Sequence, residues 1–355
     1  MGKRCILICS GLILAVIFGF FLISRSSYEF IKLFVWPPKI SFYSAENIKN
    51  SAINANYLIS GDVFWGRAID LYAQQTSLKY DWPFSRLNDF DRSKYDGWIA
   101  DMECPVTDKK VPYQVQVDSL IFSCSPDYLG AAKDWFNVFT LANNHTDNTG
   151  AYGFTDKKLP IAMCGYHWLA RQPTDEELAE ISKYGAYFPV WVFPHGGEEY
   201  AIHSNAQQQT LYRKMIDLGA DAIFSDHPHV VQETEAYKGK LIVYDLGNLI
   251  FDQWFDVEVT KSLIVNVQIS VENSDQLKPY LDLATSCATF KDNCLKEAEQ
   301  KKLKGYKLDY SYDIICGERS AASLNDKLTH KCSQSNYDWL VERTNWQVTS
   351  AGLTH

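Results

Sequence analysis

The sequence is short of positive charge. Its 34 lysines and arginines face 43 aspartates and glutamates, a formal net charge of −9. That balance excludes a generic nucleic-acid binder and capture of a polyanion by diffuse electrostatics; an anionic substrate needs a local positive centre. Disorder is excluded by the opposite observation. With 46% hydrophobic and 14% aromatic residues, the 355-residue chain can pack one large or two modest domains.

Charge is missing altogether from Cys5 to Ile23, directly after Lys3 and Arg4. At ~1.5 Å rise per residue, a helix of that length spans roughly the hydrocarbon core of a bilayer. No Ala-x-Ala pattern follows, and the apolar region of a cleaved signal is shorter, about 7–15 residues. The reading is a cytoplasmic tip (1–4), a single-pass signal-anchor (5–24) and a juxtamembrane spacer (25–55), with a cleaved signal as the alternative. In both, everything beyond residue 25 lies outside the cytoplasm. Export permits disulfides. Spacing favours Cys287–Cys294 and Cys316–Cys332, adds Cys104–Cys124 and leaves Cys164 free; buried reduced thiols are the alternative, since connectivity is not fixed by sequence.

Beyond the spacer, short apolar runs alternate with helix-like stretches. "NYLISGD" (56–62), "YDGWIADME" (95–103), "FNVFTLANNH" (136–145), "LPIAMCGY" (159–166), "YFPVWVFPH" (187–195), "KLIVYDLGN" (240–248) and "SLIVNVQISV" (262–271) read as strands. Thr174 and Glu177 form a capping box opening a helix, and a second helix over 207–219 ends on glycine. Strands separated by helices indicate a layered α/β domain over 56–281. Residues 282–355, with four cysteines, read as an irregular, disulfide-pinned extension.

Polar residues collect where those strands stop. Asp62, Glu103, Asn144, His145, His195, His227 and Asn248 each stand at or just after the C-terminal end of an apolar run, the edge at which open α/β sheets bind ligands. The stretch "SDHPHVV" adds His229 two residues after His227. In an extended turn both imidazoles point the same way, and Pro228 biases His227 toward extended backbone. Alone, such a pair is more often a polar turn than a metal site. Beside His195 with its two following glycines, and beside the amides of "ANNHTDNTG", it becomes a candidate ligand pair. A mixed carboxylate, amide and imidazole set suits Mn, Fe or Zn, and two such ions about 4 Å apart can clamp phosphate oxygens. Each residue keeps a bland alternative: Asp62 as a helix N-cap, Glu103 as a rim charge, Asn143 as a turn stabiliser.

Six blocks, "SGDVFWGR", "DGWIADMECPVT", "FTLANNHTDNTGAYG", "VFPHGGEEY", "GADAIFSDHPHVVQ" and "GKLIVYDLGNLIFD", follow one another as in the bacterial capsule-synthesis CapA (PgsA, poly-γ-glutamate) family, and residues 56–270 resemble it. The resemblance implies a calcineurin-like metallophosphatase-type sandwich, membrane-anchored and extracytoplasmic, serving synthesis or export of poly-γ-glutamate or a related polymer. It implies one or two divalent ions held by Asp62, Glu103, Asn144, His195, His227 and His229, with His145 as general acid. Arg67 would sit by the substrate anion and Asn248 would shape the rim. An anionic capsule polymer and other membrane capsule-synthesis subunits are the implied partners, with no nucleic acid. The activity implied is metal-dependent hydrolysis; the alternative is a non-catalytic polymer-binding assembly or export factor.

The chain departs from the family pattern in four places. Gly196 replaces a tryptophan, Asp101-Met102 precedes Glu103, and Asp245 adds a charge. Near 156–158 one βα unit is missing, which puts catalysis in doubt more than fold.

Overall fold

The computed structural model describes residues 52–145, 152–155, 159–272, 274–289 and 291–354. The apolar run Cys5–Ile23 and most of the spacer lie outside them. Among the described residues no helix is long and apolar enough to cross a membrane.

Two sheets form the core. The first is built on β1 (Ile53–Val63), β2 (Gly97–Met102) and β3 (Val138–Thr140), parallel to one another. The second is built on β5 (Ile161–His167), β6 (Val190–His195), β7 (Ala222–Phe224) and β9 (Lys240–Val243), also parallel, with antiparallel edge strands β4 (Tyr152–Thr155) and β8 (Thr234–Tyr237). Strand β10 (Asn248–Ile250) leaves the second sheet and joins the end of β1, so the chain itself ties the two together.

Alternation explains the packing. In β1, Tyr57 and Ile59 face the core shared with the second sheet, whereas Leu58 faces an aromatic core with Trp98, Phe84 and Phe90. Both faces are covered, so the strand is apolar throughout its middle. The sheets meet at edge-to-face Tyr57 and Trp191, 5.6 Å apart, and Trp191 Nε1 donates to Tyr310 Oη at 3.2 Å. Helices α4 (Asp175–Gly185) and α5 (Ala206–Asp217) pack Leu178, Ile181, Leu211 and Met215 into the same core. The Thr174–Glu177 capping box is present, and α5 opens on a second one, Asn205 with Gln208.

The C-terminal segment is not irregular. Strand β12 (Asp309–Glu318) pairs antiparallel with β11 (Lys261–Val271) from Asp309 to Glu318, and β13 (His330–Lys331) extends the sheet. Four helices belong to the segment: α6 (Lys278–Thr289) and α7 (Lys291–Gln300) pair with each other and lie against β4, α8 (Gln334–Arg343) packs on β12, and α9 (Trp346–Gly352) packs on β8. Low apolar content disguised the segment, because β12 alternates buried and exposed positions at the sheet's side. The disulfides Cys104–Cys124, Cys287–Cys294 and Cys316–Cys332 form, and Cys164 is free and buried.

Strand β4 pairs antiparallel with β5, so a tight strand pair stands where the resemblance anticipates a helix and a strand. Residues 156–158, where the deletion was placed, lie outside the described residues. Helices α1 (Arg67–Gln75) and α2 (Tyr113–Ser119) contact each other and give Arg67, Tyr113 and Val117 to the lining of the cleft. A short third helix, α3 (Leu129–Ala132), completes the chain-order set.

Candidate metal centre

The site forms where the C-terminal ends of the two sheets converge. Register sets it: Asp62 pairs with Asp101 on one side and with Asn248 on the other, while His195 bridges to Asp226 across the second sheet. Gly61 makes this convergence possible. A Cβ there would collide with the Gly247 carbonyl oxygen, so only glycine lets β1 and the β10 turn approach.

The His227 and His229 backbone corrects the expected extended turn. Their φ angles are +109° and +62°, sparsely populated for residues with side chains. The two rings still face one pocket, 6.0 Å apart, with His195 5.0 Å from His227. Strained backbone, rather than strand alternation, aims them.

Five carboxylates and three imidazoles are buried together: Asp62, Asp101, Glu103, Asp226, Asp245, His195, His227 and His229. Three overlapping sets bring one ligand atom from each residue within 4.8 Å of the others: Glu103–His195–His227, Asp62–Asp101–His195 and Asp62–Glu103–His229. Both Glu103 oxygens, Asp62 Oδ1, Asp226 Oδ1, Asp245 Oδ2 and His227 Nδ1 have no hydrogen-bond partner although shielded from water. Orphaned buried acceptors on this scale are costly. A divalent cation satisfies them, so the donor set fits a metal.

Electrostatics agree. Burial pushes the Glu103 carboxyl up to about 7, with Asp62 adding to the shift. Asp226 and Asp245 rise well above the usual carboxylate range, first through burial and then through neighbouring carboxylates. Burial alone would lower His195 and His229, but Asp101 and Glu103 carry the first up to about 10, and Glu103 and Asp62 the second to about 9. The pocket holds surplus negative charge that protons or a cation must offset. His227 and His145 move the other way: burial and neighbouring imidazoles depress both, His145 to about 3.

A family profile described as "Bacterial capsule synthesis protein PGA_cap" matches residues 56–159 and 163–253, more than half of the chain. The chain belongs to that family. Relatives of known name resemble it: the PGA biosynthesis protein CapA of Bacillus subtilis (strain 168) is 26% identical over 62% of this chain and 69% of its own length. The capsule biosynthesis protein CapA of Bacillus anthracis is 35% identical over 36% of this chain and 33% of its own. Among solved structures, Chaetomium thermophilum Vps29 with a bound cyclic peptide aligns over 74% of this chain at 9% identity and a TM-score of 0.31. That likeness is too weak to assign the fold, which rests on the sheets described above.

Within this PGA_cap chain, Asp62, Glu103, His195, His227 and His229 come together. Asn144 is exposed and reaches the cluster from outside, its Oδ1 3.0 Å from His195 Nε2. His145 stacks on Phe122, with centroids 3.8 Å apart, and its Nε2 lies 3.0 Å from Asn144 Nδ2. Asn143 is the buried amide: it donates to Asp101 Oδ2 at 3.0 Å and to the Met102 carbonyl at 2.8 Å. One expectation needs correction. Asn248 is not at the rim; it is fully buried and contacts His229. Arg67 does line the cleft, but Asp252 engages its guanidinium at 2.5 and 3.1 Å, and it stacks over Phe122 at 4.4 Å.

Sequence reasoning missed Asp101, Asp226 and Asp245 as members of the cluster. Asp101 stands in β2 two residues before Glu103, which follows the strand's end in extended chain, so a period of two points both carboxylates the same way. The tryptophan absent at 196 has a counterpart in space: the Trp168 indole occupies the room a Gly196 side chain would need.

Proposed function

We propose that this chain is a membrane-anchored, extracytoplasmic component of capsule or poly-γ-glutamate synthesis or export, with a metal-dependent hydrolase site of metallophosphatase type. The observation that carries the reading is the buried surplus of carboxylates with orphaned oxygens facing three imidazoles. Family membership, the names of the two CapA relatives and the uncharged run Cys5–Ile23 support the setting. Asp62, Glu103, His195, His227 and His229 hold one or two divalent ions (Mn, Fe or Zn), with Asp101 and Asp226 beside them. A bound ion would polarise a substrate oxygen and ease deprotonation of water.

The chain's own residues do the rest. Asn144 orients His195 from the cleft side. In the free site His145 is neutral and accepts from Asn144 through Nε2; it gives up that amide when it takes on the proton it later donates. Its depressed pKa rises when an anionic group enters beside it, which is what a proton donor to a leaving group needs. Other membrane capsule-synthesis subunits and the capsule polymer are the partners this role calls for.

A second reading, a non-catalytic polymer-binding assembly factor on the same fold, is favoured by the Arg67–Asp252 pair, which neutralises the one arginine among the cleft's described residues. Elemental analysis of the anaerobically purified full chain, beside a His227→Ala/His229→Ala variant, tests the first reading. Stoichiometric metal in the parent alone is expected. A metal-free parent would refute it, and metal without turnover of phosphoester or γ-glutamyl substrates would favour the second.

A further inference from the structure

The mouth of this site is greasy. A cleft of about 330 Å³ opens over His229, Asn144 and His145, a size suited to one small ligand. Its outer wall consists of Tyr113, Val117, Leu120, Tyr200 and Phe255. All five are large apolar or aromatic side chains left in water, Leu120 57% and Phe255 69% exposed. Ile121 and Val257, next along the chain, are exposed as well. Isolated exposed apolar residues need no explanation, but a ring of them around a polar centre does.

Charge at the mouth narrows the occupant. Arg67 is the only lysine or arginine among the described lining residues, and Asp252 holds it; the remaining charged lining residue is Glu199. A polyanion lying across this lip would meet carboxylates and hydrocarbon rather than cations. The aromatic faces and the Asn144 and Gln253 amides alone would suit a sugar as well; the aliphatic Val117 and Leu120 in the same lining offer it nothing and favour hydrocarbon. What fits is one anionic group on the metal centre with hydrocarbon immediately behind it.

We propose that the cleft takes an amphiphile: a phosphate ester whose head sits at the His/Asp/Glu cluster and whose aliphatic chain lies along Val117, Leu120, Tyr200 and Phe255. This rests on the metal-site reading above and gives that site its substrate class. The capsule function then involves a lipid-carried phosphate at this centre, not the finished polyanion.

Displacement of radiolabelled inorganic phosphate from the metal-loaded full chain, held in one non-ionic detergent, tests it. The competitors are n-alkyl phosphates from methyl to octyl, and the measurement is repeated on Leu120→Ser/Phe255→Ser. Both positions are exposed, so the variant folds, and inorganic phosphate serves as the zero-length reference for each protein. For the parent, the competing concentration falls about threefold per added methylene over the first several carbons, and the variant flattens that slope. A parent slope that is flat, or equal to the variant's, overturns the proposal, as does a γ-glutamate oligomer that outcompetes octyl phosphate. So does loss of phosphatidylcholine-vesicle binding in the variant, which would assign the collar to a bilayer, or conversion of a parent dimer to a monomer, which would assign it to a second copy. Absence of stoichiometric metal would refute the site reading itself; bound metal with a flat series refutes this inference alone.

Discussion

Asn248 and His229 hold each other in both directions. The Asn248 Oδ1 lies 3.0 Å from His229 Nδ1, and the Asn248 amide donates to the His229 carbonyl at 3.2 Å. The same Nδ1 stands 3.0 Å from Asp62 Oδ2, so two acceptors surround it and the proton belongs there. That leaves Nε2, on the Glu103 side, for a cation. Arg319 reinforces the arrangement from behind by donating to the Asn248 carbonyl at 2.7 Å.

Asn248→Ala therefore acts on metal affinity without touching the metal. Loss of such an orienting partner weakens binding by about 10–100-fold. The stranded His229 carbonyl and Gln253 side-chain oxygen also lower stability, by about 1–3 kcal/mol, whereas the Val259 carbonyl keeps its bond from Arg319. Chelator competition and thermal melts measure the two separately. Unchanged metal affinity would show that His229 needs no such hold.

Glu103→Gln should split stability from binding. The carboxylate is fully buried, with both oxygens unpartnered, and its pKa stands at about 7 against an ordinary 4.5. Removing that charge at pH 8 stabilises the metal-free protein by about 2–3 kcal/mol, while metal binding is lost. A metal-free variant that melts below its parent would mean that Glu103 is structural.

How much of this was legible varies residue by residue. Strand ends were readable because apolar runs stop at Gly-Asp, Met-Glu and Pro-His, which gave Asp62, Glu103 and His195 as candidates, and their company gave weight to the His227/His229 pair. The backbone of "SDHPHVV" was not readable: positive φ at His227 and His229 is imposed by convergence of two sheets, which no local pattern encodes. Asn143 and Asn144 could not be told apart in sequence, since only the register of β3 against β2 decides which amide is buried on Asp101. Strand β12 carried a local signal, Tyr310, Tyr312, Ile314 and Cys316 alternating with polar residues, but the polar, cysteine-containing stretch around it hid a pairing with β11 that is distant in the chain.

Metal and pH are coupled with a definite sign. His195 and His229 are raised in the folded state to about 10 and about 9, so their contribution is complete below about pH 6.5 and is lost as pH rises through those values. Between pH 7 and 9 the metal-free protein loses stability. His145 and His227, depressed on folding, are neutral in both states across that window and leave the slope unchanged. Metal displaces the same protons, so its stabilising increment grows with pH. At a hundredfold excess over Kd the increment is about 2.7 kcal/mol. Melting curves with metal and with chelator at several pH values check this; an increment that shrinks toward pH 9 contradicts the ligand assignment.

Asp252→Asn should release Arg67. The guanidinium is held by a two-point contact and is mostly buried, so in the parent it has little to offer an anion. Freed, it faces the cleft from which His229 and His145 are reached. Inorganic phosphate should then bind several-fold more tightly, and Arg67→Ala in the same background should abolish the gain. Phosphate affinity that is equal in parent and Asp252→Asn would place Arg67 in the scaffold alone.

The Cys316–Cys332 bridge anchors the strand that closes the first sheet. It joins β12 to the segment entering α8 across a separation of 16 residues, and Cys332 N also donates to the Cys316 carbonyl. Cross-linking a loop of that size restricts the unfolded chain by about 3 kcal/mol. Replacing both cysteines with serine should lower the denaturation midpoint accordingly. Because β12 covers β11, which in turn flanks β1, the loss spreads toward Asp62 rather than staying in the tail. The variant should therefore bind metal more weakly only near its own unfolding transition, and as tightly as its parent well below it; weaker binding at every temperature would mean that the bridge shapes the site directly.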